Sequence, residues 1–387
     1  MKFTQVVRCI ALLFVASACF AQDFVTFDVY PASTFTQPAA INDQGQIVGS
    51  SMPSVPNCFG GPPAFCQQGF FRDSDGTIST IGPTPNRPNY FTAAAMAINQ
   101  LGLAVGSIAD ASGSDGFLRN TDGTLTPIQY FAPQRENGFG SKTSEPSFPK
   151  GLFPPMNTPD AGSAATTIND WGQIAGVIGE GGGRGIGYLR EVDGTFITFS
   201  ATSNTPPAFD TLPQAINDLG EITGYFVDSN GWHGFLREPK GSFVVFDAGL
   251  ADTFALAINQ GGQITGVYTA ENVFHGFLRR RGGKITTFDP PGSVNTVATA
   301  INIKGQVTGF YFDSNGVAHG FTRSQCGQIE TFDVPGVGVS ATIAQGINDL
   351  GQITGYYTDP TGTHGFLTVR RGGSTKSAFR GGGAKVP

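Results

Sequence analysis

An Ile-Asn step followed by a glycine-bearing turn recurs seven times in this chain. It stands at Ile41-Asn42, Ile98-Asn99, Ile168-Asn169, Ile216-Asn217, Ile258-Asn259, Ile301-Asn302 and Ile347-Asn348. The last four separations are 48, 42, 43 and 46 residues. A repeat of that length is one supersecondary unit, which can bury its apolar surface only against its neighbours. Four copies read Asn-Asp-x-Gly, at Asn42-Asp43, Asn169-Asp170, Asn217-Asp218 and Asn348-Asp349. The pattern is turn chemistry: Asn caps its own turn and Gly supplies the left-handed position.

Each copy resolves into four short strand-like pieces. In the clearest, Thr296–Ile301 is a small-residue strand and Gln306–Phe310 follows a tight turn. Asp313-Ser-Asn-Gly316 then turns into His319–Arg323, and a third turn near Gly327 leads to Ile329–Asp333. Short β-rich runs bounded by Asn, Asp and Gly are hairpins. The last copy ends at His364–Thr368 without a fourth piece, and Phe24-Val-Thr-Phe-Asp28 near the start matches what is missing. Joining the two ends removes two exposed sheet edges, which favours a closed ring over an open solenoid. The expected fold is therefore all-β: a seven-bladed β-propeller of four-stranded antiparallel blades over residues 22–369, closed by the N-terminal strand.

The termini read differently from the body. Lys2 and Arg8 precede an apolar run, Ile10–Ala18, with a small-residue cleavage site before Gln22. The run is too short to span a bilayer, so residues 1–21 are expected to be a secretory signal peptide, which makes the protein secreted or periplasmic. Lipid anchoring at Cys19 is the minor alternative. No other apolar run reaches membrane length, so no transmembrane segment is expected. Residues 370–387 carry Arg370, Arg371, Lys376, Arg380 and Lys385 with no acid, and read as a disordered basic tail. The net charge is −6 even with these cations, so the body is markedly acidic, and nucleic acid is excluded as a partner. In an oxidising compartment Cys58 and Cys66 are expected to form a disulfide, leaving Cys326 without a partner.

The unit His-Gly-Phe-x-Arg recurs at His233–Arg237, His275–Arg279 and His319–Arg323, with His364-Gly-Phe-Leu in the last copy. This resembles the HAF repeat family, and the likeness spans nearly all of the chain after residue 21. The first three copies depart from it, with Gln68, Asp115 and Ile186 in the His position. The resemblance implies an extracytoplasmic repeat protein and carries no activity with it.

The four histidines do not form a metal site on this reading. Each begins the third strand of its blade, about 10 Å outward of the first, so equivalent residues lie too far apart to share one ion with bonds of about 2.1 Å. Packing or turn hydrogen bonding is expected instead. The recurrent Arg (Arg72, Arg119, Arg190, Arg237, Arg279 and Arg323) is expected to pair with a carboxylate between blades or at a turn. Asp73-Ser-Asp75-Gly76 and Asp228-Ser-Asn230-Gly231 offer oxygen donors for calcium but fall short of an EF-hand loop. No cofactor, metal or catalytic residue is otherwise expected, since nucleophile-elbow, zincin and Cys-x-x-Cys motifs are missing from the sequence.

Departures from the repeat point to function. Long insertions lie at Ser50–Gln67 and Gln129–Gly162, with smaller ones at Gly82–Thr92 and Gly179–Gly185. Following the up-down course of each blade, all four emerge on the same face. They bring Tyr90, Phe91, Tyr130, Phe131, Phe139, Phe148 and Phe153, and clustered aromatics on loops favour binding. The expectation is a monomeric binding or scaffold module for an extracellular glycan, peptide or protein. The alternative is a glycan-directed hydrolase or lyase with its site at the central channel mouth, which would need paired carboxylates.

Overall fold

The computed structural model describes residues 22–30, 35–53, 67–82, 90–110, 113–129, 162–179, 185–201 and 210–370. These form 28 strands and no helix. Each repeat is one four-stranded unit of consecutive antiparallel neighbours. In unit 4 the strands are Asp210–Ile216, Ile222–Asp228, Gly231–Arg237 and Phe243–Phe246. Unit 7 contributes Ala341–Ile347, Ile353–Asp359 and Gly362–Arg370. Its fourth strand is Gln22–Phe27, antiparallel to Gly362–Arg370 with Phe24 opposite Thr368. The first strand of each unit packs beside the first strand of the next, from unit 1 to unit 7 and on to unit 1 again.

One irregularity recurs in every unit. The pairing of first and second strands slips by one residue, as between Ala298 and Ala300 or between Ala344 and Gly346. A glycine on the second strand faces each slip. A Cβ on Gly309 would lie 2.0 Å from the Val297 carbonyl oxygen, and one on Gly355 2.0 Å from that of Ile343. The backbones approach so closely at this bulge that no side chain fits between them, which explains the Thr-Gly and Val-Gly steps of the second strands.

The core lies between units. The aromatic residue of each third strand (Phe70, Phe117, Tyr188, Phe235, Phe277, Phe321 and Phe366) is completely buried. At the boundary of units 4 and 5, the Phe246 ring lies over Gly234, where a Cβ would meet it at 2.8 Å. The same ring packs edge-on against Phe277, 6.1 Å between centroids, and under the Arg279 guanidinium at 4.8 Å. Phe27 of the N-terminal strand repeats all three contacts. It covers Gly365 at 2.7 Å, meets Phe70 of unit 1 at 6.1 Å, and lies under Arg72 at 5.0 Å. Ring burial of this kind contributes about 2 kcal/mol per phenylalanine.

These contacts add an aromatic partner to the expectation for the repeat arginines. Arg72, Arg237, Arg279 and Arg323 each stack on a fourth-strand phenylalanine of the neighbouring unit, while Asp75 and Glu191 act on Arg72 and Arg237 by charge. Arg237 also donates to the Glu238 carbonyl at its own turn. A flat, weakly hydrated guanidinium suits an apolar seam that a compact ammonium would not.

Candidate functional site

The units present two edges. The Ile-Asn turns lie on one; the insertions leave and return on the other, together with the start of every third strand. On this insertion edge the four histidines are each held by acids of their own unit. His233 Nδ1 is 2.9 Å from Asp247 Oδ1 at the end of the fourth strand, and its Nε2 is 3.2 Å from Asp228 Oδ1 at the end of the second. Asp228 is almost wholly buried. His275 pairs with Asp289 at 2.8 Å and His319 with Asp333 at 2.9 Å. In unit 7, His364 lies 2.9 Å from Asp28 and 3.1 Å from Asp359. Each ring also packs on the aromatic residue opposite it, as Tyr311 does on His319 at 5.1 Å between centroids. Burial disfavours the charged imidazole, but the hydrogen bonds and charges of the flanking acids outweigh it. The pKa values of His233 and His364 are consequently raised.

Units without histidine solve the same position with other groups. In unit 2, Gln129 Nε2 donates to Asp115 Oδ2 at 3.0 Å. Between units 7 and 1, the Tyr30 hydroxyl, just past the N-terminal strand, donates to Gln68 Oε1. In units 4 and 7 the histidine thus clips the second-strand end, third strand and fourth-strand end together.

The opposite edge is built from the Ile-Asn turns. Within its turn, Asn42 Oδ1 accepts from the Gln44 and Gln46 amides, the local role expected of it. Its Nδ2 does something the repeat alone does not reveal, donating to the Asn99 carbonyl of unit 2 at 3.1 Å. Asn99, Asn169, Asn217, Asn259 and Asn302 each donate to the following unit in the same way. Asn348 donates to the Asn42 carbonyl at 3.0 Å, so the series returns to its start.

The next residue of each turn makes a second series. The Asp43 amide donates to Gln100, that of Gln100 to Asp170, that of Asp170 to Asp218, and that of Asp218 to Gln260. The Ile303 amide donates to Asp349, and the Asp349 amide to Asp43 at 2.7 Å. Asp43, Asp170, Asp218 and Asp349 therefore stand around one opening. Partial burial, joined by the charge of Asp349, raises the Asp43 pKa; burial and then the charges of Asp218, Asp43 and Asp349 do so for Asp170. Among the described residues, no group of three or more His, Cys, Asp or Glu is placed to hold one metal ion. The acids of the two turns with calcium-like spacing serve as turn caps. Asp73 accepts from the Ser74 amide, Asp75 from Thr77 and Asp228 from Asn230.

The aromatic residues singled out by sequence lie largely beyond this geometry. Tyr130, Phe131, Phe139, Phe148 and Phe153 fall outside the described residues, as do Cys58 and Cys66. Tyr90 and Phe91 are not loop residues: they open the strand Tyr90–Ile98, which a second register slip between Tyr90 and Thr92 extends opposite Asp110. Their side chains are outside the described set. Cys326 is an exposed free thiol.

No family model matches the chain, and no curated protein matches it. Solved structures do. A streptogramin B lyase is 14% identical with a TM-score of 0.53, covering 91% of this chain and 99% of that one. A catalytically inactive virginiamycin B lyase from Staphylococcus aureus with quinupristin is 14% identical with a TM-score of 0.52, covering 90% and 99%. A puromycin hydrolase is 13% identical with a TM-score of 0.52, covering 88% of this chain and 52% of that one. At these identities the likeness is one of architecture, and it gives the chain a β-propeller-like all-β fold.

Proposed function

We propose that the chain is an exported seven-bladed β-propeller of HAF-type repeats, closed by residues 22–27, that acts as a binding or scaffold module. Closure is supported by the asparagine series that returns to Asn42 and by Phe27 repeating the contacts of Phe246. Recognition is assigned to the insertion-bearing edge of blades one to three, with Tyr90, Phe91, Tyr130, Phe131, Phe139, Phe148 and Phe153 as its aromatic anchors. The ligand class is an extracellular glycan, peptide or protein.

One observation carries this reading. Blades four to seven keep the His–Asp clip at that edge, whereas the three blades that lack the histidine are the ones that carry extra chain there. Uniform blades hold this edge with the His–Asp pair, while the irregular ones replace the histidine and carry the insertions side by side on one sector. Loops on a rigid scaffold are where binding residues concentrate. The experiment is a screen of the purified secreted protein against glycan and peptide arrays. Retention of one ligand class without turnover supports the reading; no retention of any class counts against it.

A second reading, a glycan-directed hydrolase or lyase, draws on Asp43 and Asp170. Both have raised pKa values beside further carboxylates, the arrangement that separates an acid from a base. It places the chemistry on the edge opposite the insertions. Product formation from an arrayed glycan, lost in Asp170→Asn, would select it.

A further inference from the structure

The asparagine-turn edge exposes an apolar crown. The tips of its turns carry Leu101 at 59% exposure, Trp171 at 69%, Leu219 at 50% and Leu350 at 53%, and Ile303 one position earlier in its turn is 52% exposed. Single exposed leucines are ordinary on protein surfaces, but here they recur at one structural position around one opening. Trp171 is also held in place, because its Nε1 donates to the Asp218 carbonyl at 2.9 Å while its ring stays open to solvent. Inside the crown stand Asp43, Asp170, Asp218 and Asp349, with Lys304 the one cation among these turn residues. The result is an acidic floor with an apolar rim.

The chain leaves the fold at this same edge. Thr354, just past the Asn348 turn, pairs with Leu367, and Thr368 accepts from the Ile353 amide at 2.8 Å. Residues 371–387 follow directly, with Arg371, Lys376, Arg380 and Lys385, no acid, and one aromatic residue, Phe379. Phe379 is separated from the last strand by chain that extends to roughly 30 Å at about 3.3 Å per residue. The third strand stands only about 10 Å outward of the first, so the segment reaches the opening with length to spare.

We infer that residues 371–387 dock across the asparagine-turn edge of their own chain, with the cations over the aspartates and Phe379 against the apolar rim. Charge complementarity and the exit point of the chain select this occupant over an outside partner. The pKa values of Asp43 and Asp170, raised by partial burial first and then by neighbouring carboxylates, fit it, because carboxylates in such surroundings gain from a nearby cation. The inference is independent of any ligand on the insertion edge.

The experiment compares the full chain with a chain ending at Arg370. Trp171 is read by acrylamide quenching, with Trp171→Phe separating its signal from that of Trp232. The quenching constant of Trp171 rises on truncation. A synthetic peptide of residues 371–387 restores protection to the truncated protein but does not bind the full chain. Its Kd weakens about tenfold between 0.05 and 0.5 M salt, as screened surface pairs require. The triple variant Asp43→Asn, Asp170→Asn, Asp349→Asn keeps every Oδ1 acceptor of the ring, so the fold is retained while peptide binding is lost. Equal quenching with and without the tail overturns the inference. Protection that appears only at concentrations where the protein dimerises also overturns it, in favour of the tail of a second copy. If the triple variant unfolds, peptide titration of the truncated protein against salt decides alone, and salt-independent binding or none counts against docking.

Discussion

His364 Nδ1 lies 2.9 Å from Asp28 Oδ1 across 336 positions of sequence. The pair is the unit-7 counterpart of His319 with Asp333 and His233 with Asp247, each 14 residues apart. A local clip in three units becomes the longest-range clip of the molecule in the fourth, because the fourth strand of unit 7 comes from the other end of the chain. Removing residues 22–30 therefore strips Phe24, Phe27 and Asp28 from the last sheet at once. Urea unfolding is expected to show a loss of about 4 kcal/mol, from two phenylalanines at about 2 kcal/mol each. Asp28→Ala, at a half-buried pair, is expected to cost only about 1 kcal/mol. An unchanged midpoint after the deletion would mean that the strand contributes nothing to holding the last unit.

The bulge on every first strand makes a separate prediction. Gly309→Ala would drive a Cβ into the Val297 carbonyl at 2.0 Å, and the backbone must move to admit it. The expected loss is about 3 kcal/mol. Gly282→Ala meets nothing within 4 Å, so it is expected to shift stability by no more than about 0.5 kcal/mol. Thermal unfolding of the two variants side by side checks the contrast; similar losses would show that the glycines serve chain flexibility and not the bulge.

Stability should depend on pH through the same clips. The folded pKa of His364 is raised above the ordinary 6.5, so its contribution is complete below that value and is lost as pH rises through the higher folded one. Asp359 is depressed from 3.8 to about 2, first by the Thr361 hydroxyl and further by His364. Its contribution is present above 3.8 and disappears as pH falls towards about 2. Unfolding temperature should therefore be greatest between these limits, and His364→Gln should flatten the fall above pH 6.5. A fall of the same size in the variant would assign the pH dependence to other groups.

Much of this was readable from residues alone. The Ile-Asn step marked every unit because its Asn and Gly have no substitutes in that turn. Phe24–Asp28 stood out because it repeats the spacing of Phe243–Asp247, and spacing is all that strand pairing needs. The asparagine Nδ2 bonds were hidden, since a one-dimensional repeat says nothing about which carbonyl of the next unit lies within 3 Å. The aromatic partners of the arginines are hidden for a related reason: a guanidinium accepts a carboxylate and an aromatic face alike, and only the packing of units brings in the ring. Tyr90 and Phe91 read as loop because Gly82, Pro83 and Pro85 precede them, yet pairing with Ala104–Asp110 draws them into the strand. The partners of the repeat histidines are hidden too, because for His233 and His319 the aspartate that closes the clip lies 14 residues away at the end of another strand.

The most direct measurement compares two kinds of variant in one binding assay, using whichever glycan or peptide the array screen retains. In one, residues 130–161, which lie between Leu125–Ile128 and Gly162–Ile168, are replaced by a short turn; closure entropy changes slowly with loop length. In the other, His275→Ala removes a clip. The account predicts that the trimmed protein keeps its unfolding temperature and loses binding. Tyr130→Ala and Phe131→Ala should each weaken binding by about 1–3 kcal/mol, as aromatic anchors do. His275→Ala should unfold at a lower temperature and bind with unchanged Kd. Binding kept after the trim and lost with the histidine would contradict the account and move recognition onto the repeat motif.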